Sequence, residues 1–186
     1  MPDQIAVLFC CMGNICRSTM AEGVFQAMTK KAPYQGRVSQ IDSCGTIGYH
    51  TGDEPDDRTM ATLEAHGITD YHHRARKITA ADFDRFDYIF AMDRQNLNDL
   101  EQLRRKKPGS KARVMLFGEY AGSSSSSNSS SSNSSSSGST GRGGRVAEPI
   151  SDPYYGGRDG FAKAYEQVTR FSKNFLQDVF PDIKPE

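Results

Sequence analysis

The chain has 186 residues, enough for one sizeable core and cramped for two, so residues 1–186 are expected to form a single domain. Lysine plus arginine balance aspartate plus glutamate at 23 against 23. No net field therefore favours nucleic acid or an acidic membrane, and no stretch approaches the roughly 20 apolar residues of a membrane-spanning helix.

The first residues, MPDQIAVLFC, lack the basic n-region and long apolar run of a signal peptide. Ile5 to Cys10 is a continuous apolar run, consistent with a strand buried on both faces. Cys10, Cys11 and Cys16 crowd into seven positions and Cys44 stands apart, unlike the spread pairs of a secreted disulfide framework. A reduced, cytoplasmic protein is expected. After a short loop with Gly13 and Asn14, the apolar residues Ala21, Val24, Phe25 and Met28 fall at helical spacing from Ser18 onward. Val38 to Ile41 can form a second strand. Asp57 to His66 reads as a helix closed by Gly67.

Tyr88 to Met92 is a third apolar run, and Asp93 stands where it would N-cap a helix. Arg113 to Phe117 supplies a fourth. Residues 123–145, almost all serine, asparagine and glycine, have no apolar surface to offset the entropy of ordering, and read as a flexible insertion. Such insertions close at small entropic cost. In the last helix Phe161, Ala164, Tyr165, Val168, Phe171, Phe175 and Val179 trace one apolar stripe. Strands alternating with helices imply an α/β fold, a parallel sheet covered on both faces.

The chemistry concentrates in Cys11-Met12-Gly13-Asn14-Ile15-Cys16-Arg17-Ser18, between a predicted strand and a predicted helix. A cysteine and an arginine separated by five residues can close a loop around one tetrahedral anion, with backbone N–H groups and the helix N-terminus as donors. Gly13 permits φ > 0 and Asn14 tolerates the left-handed region. An ordinary cysteine is only a few per cent thiolate at neutral pH. The loop amides, the helix dipole and Arg17 should all favour the anion, and Ser18 can donate to it. The planar guanidinium of Arg17 can grip two phosphoryl oxygens, which lysine cannot copy. These features make Cys11 a candidate nucleophile and Arg17 a phosphate clamp. A bare C-x5-R match arises often by chance, with small core cysteines and a surface arginine; its placement at a strand-to-helix turn, with glycine, asparagine and serine where the chemistry needs them, favours the functional reading.

Cleaving a phosphate monoester also needs an acid for the departing oxygen. Asp152, in Asp152-Pro153-Tyr154-Tyr155 just before the last helix, is the candidate, with proline stiffening the backbone. The two tyrosines can flank an aryl substrate. A plain turn explains the same residues. Every group needed is supplied by the chain, so no metal and no cofactor are expected.

Together these residues resemble the low-molecular-weight protein tyrosine phosphatases. The resemblance extends through Ile41 to Thr46 (IDSCGT), His66 to Ile68 (HGI), Ala75 to Thr79 (ARKIT) and Phe86 to Asp93 (FDYIFAMD). It implies a three-layer α/β fold with a four-stranded parallel sheet in order 2-1-3-4, and a site at the carboxyl end of the first strand. It implies Cys11 as nucleophile through a phosphocysteine, Arg17 as clamp and Asp152 as general acid. Residues 12–18 would bind phosphate, with Asn14, Ser18 and Ser43 holding the loop in shape. His72, counted with the loop supports, and Asp42 match a family pair that can interact, and a satisfied structural histidine is the favoured reading of His72. Ile15, Tyr49, Tyr154 and Tyr155 match cleft positions. An apolar residue at Ile15 suits phosphotyrosine, whereas threonine there marks relatives acting on phosphoarginine. Cys16 matches a cysteine that can pair with the nucleophile on oxidation, and Tyr154 and Tyr155 match tyrosines that can themselves be phosphorylated.

The implied substrates are phosphotyrosine proteins and small aryl phosphates, with acid phosphatase activity, inhibition by inorganic phosphate or other oxyanions, and a monomer or weak homodimer. Cys10, Cys44 and the serine-rich insertion depart from the family pattern. An arsenate reductase would need further cysteines late in the chain, and none follows Cys44. A non-catalytic phosphotyrosine-binding module would lack the nucleophile or the acid, and both are present. A scaffold role through the serine-rich segment is compatible with catalysis.

Overall fold

The computed structural model describes residues 3–122, 147–157 and 159–184. Four strands, β1 (Ile5–Cys11), β2 (Val38–Gly45), β3 (Tyr88–Ala91) and β4 (Arg113–Leu116), form one sheet in the order β2-β1-β3-β4. Every pairing is parallel. The helices are α1 (Arg17–Thr29), α2 (Asp57–Ala65), the single turn α3 (Asp82–Arg85), α4 (Arg94–Arg105) and α5 (Asp159–Val179), with 3₁₀ turns at Phe117–Tyr120 and Pro153–Tyr155. Among the described residues no helix is long and apolar enough to cross a membrane.

The unbroken apolar run of β1 is explained by its central place. Alternate residues serve two different cores. Ile5, Val7, Phe9 and Cys11 pack with Met20, Val24 and Phe25 of α1 and Val168, Phe171 and Phe175 of α5. Ala6, Leu8 and Cys10 face the opposite layer, with Phe83, Phe86 and Leu100. The Phe9 ring meets Phe25 and Phe117 edge-on at centroid distances of 5.4 and 5.1 Å. Full burial of each such side chain is worth about 1.5–3 kcal/mol, so the larger core fixes where β1 ends and the loop after it begins.

β2 is longer than the expected segment Val38–Ile41 and runs on to Gly45. It is an edge strand whose Ser39 and Gln40 face solvent, and its continuation through Asp42 and Ser43 has no apolar run to mark it in sequence. Its last residues, Ser43 to Gly45, are buried against the end of β1. Asp93 does cap α4: its Oδ1 accepts from the Asn96 N–H at 2.8 Å. The α5 stripe is buried at Phe161, Ala164, Val168, Phe171 and Phe175, with Tyr165 and Val179 packed at its margin.

The expected insertion at 123–145 lies outside the described residues. The chain on either side of it is pinned. The Glu148 N–H donates to the Gly118 carbonyl at 3.0 Å. From α5, Arg170 donates to the Ala121 carbonyl at 2.7 Å and to both oxygens of Glu148 at 2.9 and 3.1 Å. Gly118 has no room for a side chain, since a Cβ there would lie 1.7 Å from the Glu148 carbonyl oxygen. The Ile150 N–H then donates to the Met92 carbonyl at 2.9 Å, which brings the Asp152 segment to the carboxyl end of the sheet.

Candidate active site

A loop joins the end of β1 to α1 and curls around the Cys11 sulfur. Asn14 takes φ of 60°, the left-handed conformation that asparagine accepts more readily than most residues. In that geometry its backbone N–H points back to Cys11 Sγ, at 3.3 Å. Ser18 Oγ lies 3.0 Å from the same sulfur. Ser18 Oγ also accepts from Asn14 Nδ2 at 2.9 Å, which leaves its own proton free to be donated to the sulfur when Cys11 is ionised. With the Asn14 N–H, Ser18 Oγ then gives the sulfur two donors, the arrangement that suits a thiolate. No side chain caps the start of α1, so its positive end faces the loop.

The loop is held from behind by a buried polar network. Asn14 Oδ1 accepts from the Arg76 N–H at 3.0 Å. Because a backbone N–H can only donate, this contact fixes which end of the amide is oxygen. His73 Nε2, 2.8 Å from the same oxygen, must then carry a proton. Asn14 Nδ2 also donates to Ser43 Oγ at 3.0 Å, and Ser43 Oγ and Tyr71 Oη donate to Glu22 Oε1 at 2.7 and 2.6 Å. Burial pushes the Glu22 carboxyl up to about 7, against the pull of those two hydroxyls, and burial holds His73 below its usual range. Glu22, Asp42 and His73 place three potential metal-ligand atoms within 4.8 Å of one another. Tyr71, Ser43, Arg76 and Asn14 already occupy the hydrogen-bonding positions of that cluster.

Asn14→Ala should remove four hydrogen bonds and strain the left-handed backbone, costing about 3–4 kcal/mol. Asn14→Gly should cost about 1 kcal/mol less because it relieves the strain alone. Urea midpoints measure both. Wild-type stability in Asn14→Ala would mean that the network does not hold the loop.

The histidine of this network is His73, and the expectation for His72 is corrected. Burial alternates along the segment after α2, with Tyr71 and Ala75 buried, His73 half-buried and His72 and Arg74 exposed, so 71, 73 and 75 face inward. Asp42 lies beside His73, its Oδ1 3.6 Å from Nδ1, and is also paired with Arg76.

Arg17 is 3% exposed. Its Nη1 donates to Asp93 Oδ2 and to the Ile150 carbonyl, and its Nη2 lies 3.7 Å from Asp152 Oδ2. Asp93 thus caps α4 with one oxygen and holds Arg17 with the other. Burial opposes the charge on Arg17, but Cys11, Asp93 and Asp152 together hold its pKa above the ordinary value. Asp152 Oδ1 accepts from the Tyr154 N–H at 3.0 Å. Gly45 permits the close approach of the loop to β2, because a Cβ there would lie 2.7 Å from the Met12 carbonyl oxygen.

These groups open onto a cleft of about 360 Å³. Cys11, Met12, Gly13, Ile15, Cys16 and Arg17 line it from the loop; Tyr49 comes from the segment after β2, and Asp152, Tyr154 and Tyr155 from the segment before α5. Asn14 and Ser18 are fully buried behind it. Ile47 and His50 also line the cleft and were not read from the sequence, where nothing periodic marks them. Among the described residues the large apolar side chains left exposed are Met12, Ile47, Tyr49, Tyr154 and Tyr155, and all of them border this cleft. Burial and the negative charges of Asp56, Cys11 and Asp152 push the Cys16 thiol up to about 12.

The family model of low molecular weight phosphotyrosine protein phosphatases matches residues 6–130. A low molecular weight phosphotyrosine protein phosphatase of Schizosaccharomyces pombe is 45% identical over 179 residues, covering 96% of this chain and 99% of that protein. Its Saccharomyces cerevisiae counterpart is 38% identical over 174 residues, covering 94% of each. The crystal structure of DARP, a drosophila arginine phosphatase, superposes with a TM-score of 0.76 at 34% identity, over 94% of this chain and 98% of that one. With a parallel sheet in the same order that the motifs imply, and full-length similarity at these identities, the chain belongs to the low molecular weight phosphotyrosine protein phosphatase family.

Proposed function

We propose that the protein hydrolyses phosphotyrosine and small aryl phosphates through a phosphocysteine on Cys11. The observation that carries this reading is the placement of the Cys11 sulfur, the Arg17 guanidinium and the Asp152 carboxyl in one cleft bordered by exposed aromatic rings. The Cys11 thiolate attacks phosphorus in line, forming a P–S bond as the P–O bond to the aryl group breaks. Asp152 gives its proton to the departing oxygen, so the phenol leaves neutral. Water then attacks phosphorus and loses its proton to the Asp152 carboxylate. The P–S bond breaks, and the Ser18 hydroxyl stabilises the returning thiolate. Arg17 and the loop amides hold the phosphoryl oxygens throughout, so catalysis is mostly positioning and charge stabilisation. Inorganic phosphate, the product, should occupy the same loop and inhibit.

Peroxide would oxidise Cys11 to a sulfenic acid, releasing water. The Cys16 sulfur then attacks the Cys11 sulfur, the S–O bond breaks, and the departing hydroxide takes the thiol proton, giving a disulfide and a second water. Against a phosphoarginine substrate, Ile15 offers no hydroxyl at the cleft wall. An aryl phosphate and phosphoarginine assayed side by side in EDTA should show turnover of the first and little of the second. Preference for phosphoarginine would overturn the substrate assignment.

Asp152→Ala should lower kcat/KM on phenyl phosphate by about 10²–10³-fold, and far less on a strongly activated aryl phosphate whose phenolate needs no proton. Steady-state kinetics across a series of leaving groups measures this. Equal losses across the series would remove Asp152 as the acid.

A further inference from the structure

A cation in the first turn of a helix works against the positive end of the helix dipole, yet Arg58 stands in the first turn of α2. Its guanidinium, on a side chain 47% exposed, uses each of its three nitrogens there. Nε and Nη2 grip the two oxygens of Asp56, the N-cap residue, at 3.0 and 3.1 Å. Nη1 crosses to the other segment of the cleft and donates to the Tyr154 carbonyl at 3.2 Å. Its Cζ lies 5.2 Å from the centroid of the Tyr154 ring and 4.7 Å from that of Phe161. Tyr154 in turn orients the acid, because its N–H donates to Asp152 Oδ1. The start of α2 also holds the anion loop: the Asp56 N–H donates to the Ile15 carbonyl at 2.8 Å, and Thr59 Oγ1 to the Cys16 carbonyl at 3.4 Å.

The start of α2 therefore touches both halves of the site. Given the reading of Asp152 as the acid, we infer that Arg58 is a positioning residue, which fixes the distance of the Asp152 segment from the Cys11 loop by clamping Tyr154 to Asp56. The contact needs a planar fork that binds a carboxylate with two nitrogens, a carbonyl with the third and rings with its face. Arginine has this shape and lysine does not. Small misplacements of a catalytic group cost rate steeply, so a clamp outside the chemistry can govern it.

The test compares wild type, Arg58→Met, Arg58→Lys, Asp152→Ala and the Asp152→Ala/Arg58→Met double variant, by kcat/KM across aryl phosphates of rising leaving-group pKa. Arg58→Met keeps an apolar stem against the two rings, and Arg58→Lys keeps the charge. Both should lose about tenfold or more on phenyl phosphate and little on the most activated substrate, with thermal midpoints close to wild type. In the Asp152→Ala background, Arg58→Met should add no further dependence on the leaving group, because the group it positions is gone. Should Arg58→Met melt early, Arg58→Lys carries the comparison. A uniform loss across leaving groups, full activity in Arg58→Lys, or additive losses in the double variant would overturn the role of Arg58 and leave Asp152 as the acid. If Asp152→Ala itself shows no dependence on the leaving group, the acid assignment falls first and the clamp with it.

Discussion

Cys11→Ser should lower turnover of an aryl phosphate by about 10⁴-fold or more, the scale seen when a covalent nucleophile is removed from a site that acts as a unit. The hydroxyl that replaces the thiol has no means of ionising between two neutral donors. The surrounding frame should persist. Cys11 is only 3% exposed, serine is the smaller residue, and the Asn14 N–H and Ser18 Oγ that meet the sulfur can hydrogen-bond to an oxygen. Inorganic phosphate should therefore still bind, because Arg17 and the loop amides are untouched. Paired measurements distinguish the causes: kinetics for turnover, titration calorimetry for phosphate, and a melting curve for the fold. Turnover near that of wild type would end the covalent account.

Arg17→Lys should lower kcat/KM by about 10²–10³-fold, the size of effect expected when an oriented donor on a developing anion is lost. Lysine keeps the charge but cannot serve Asp93, the Ile150 carbonyl and a phosphoryl group from one rigid plane. Inhibition by inorganic phosphate should weaken in parallel, since the same donors bind product. Arg17→Ala adds a second effect. It leaves the Asp93 carboxylate, 29% exposed, facing the site without its partner. Solvent access should keep the stability loss to about 1–3 kcal/mol, below the cost for a fully buried pair. A lysine variant of wild-type activity would show that a point charge suffices and that the fork is idle.

What could be read from the sequence was whatever has a local pattern. The β1 run, the α5 stripe and the loop from Cys11 to Ser18 each declare themselves within a few turns of chain. β2 beyond Ile41 did not, because Asp42, Ser43 and Gly45 carry no apolar pattern even though Ser43 to Gly45 are buried. The four-residue α3 is too short for any period. α4 was visible only at its cap, since RQNLNDLEQLRR carries a narrow apolar stripe on a charged helix. The supports of the loop were the hardest. Glu22, Tyr71 and His73 meet Asn14 and Ser43 only because the loop after β1, α1, β2 and the 70–77 segment converge, and no spacing in the sequence records that convergence. His72 and His73 are adjacent and chemically equal on paper; the inward face of the segment decides between them. Ile47 and His50 reach the cleft from an irregular segment, where composition is silent.

The closure between Gly118 and Glu148, latched from α5 by Arg170, has an evolutionary corollary. A polypeptide that leaves and re-enters at one fastened doorway transmits neither pull nor slack to the residues downstream. Lengthening, trimming or rewriting the stretch between 123 and 146 should therefore leave the geometry set by Asp152 constant. A catalytic frame can acquire new surface sequence at that point without renegotiating its chemistry.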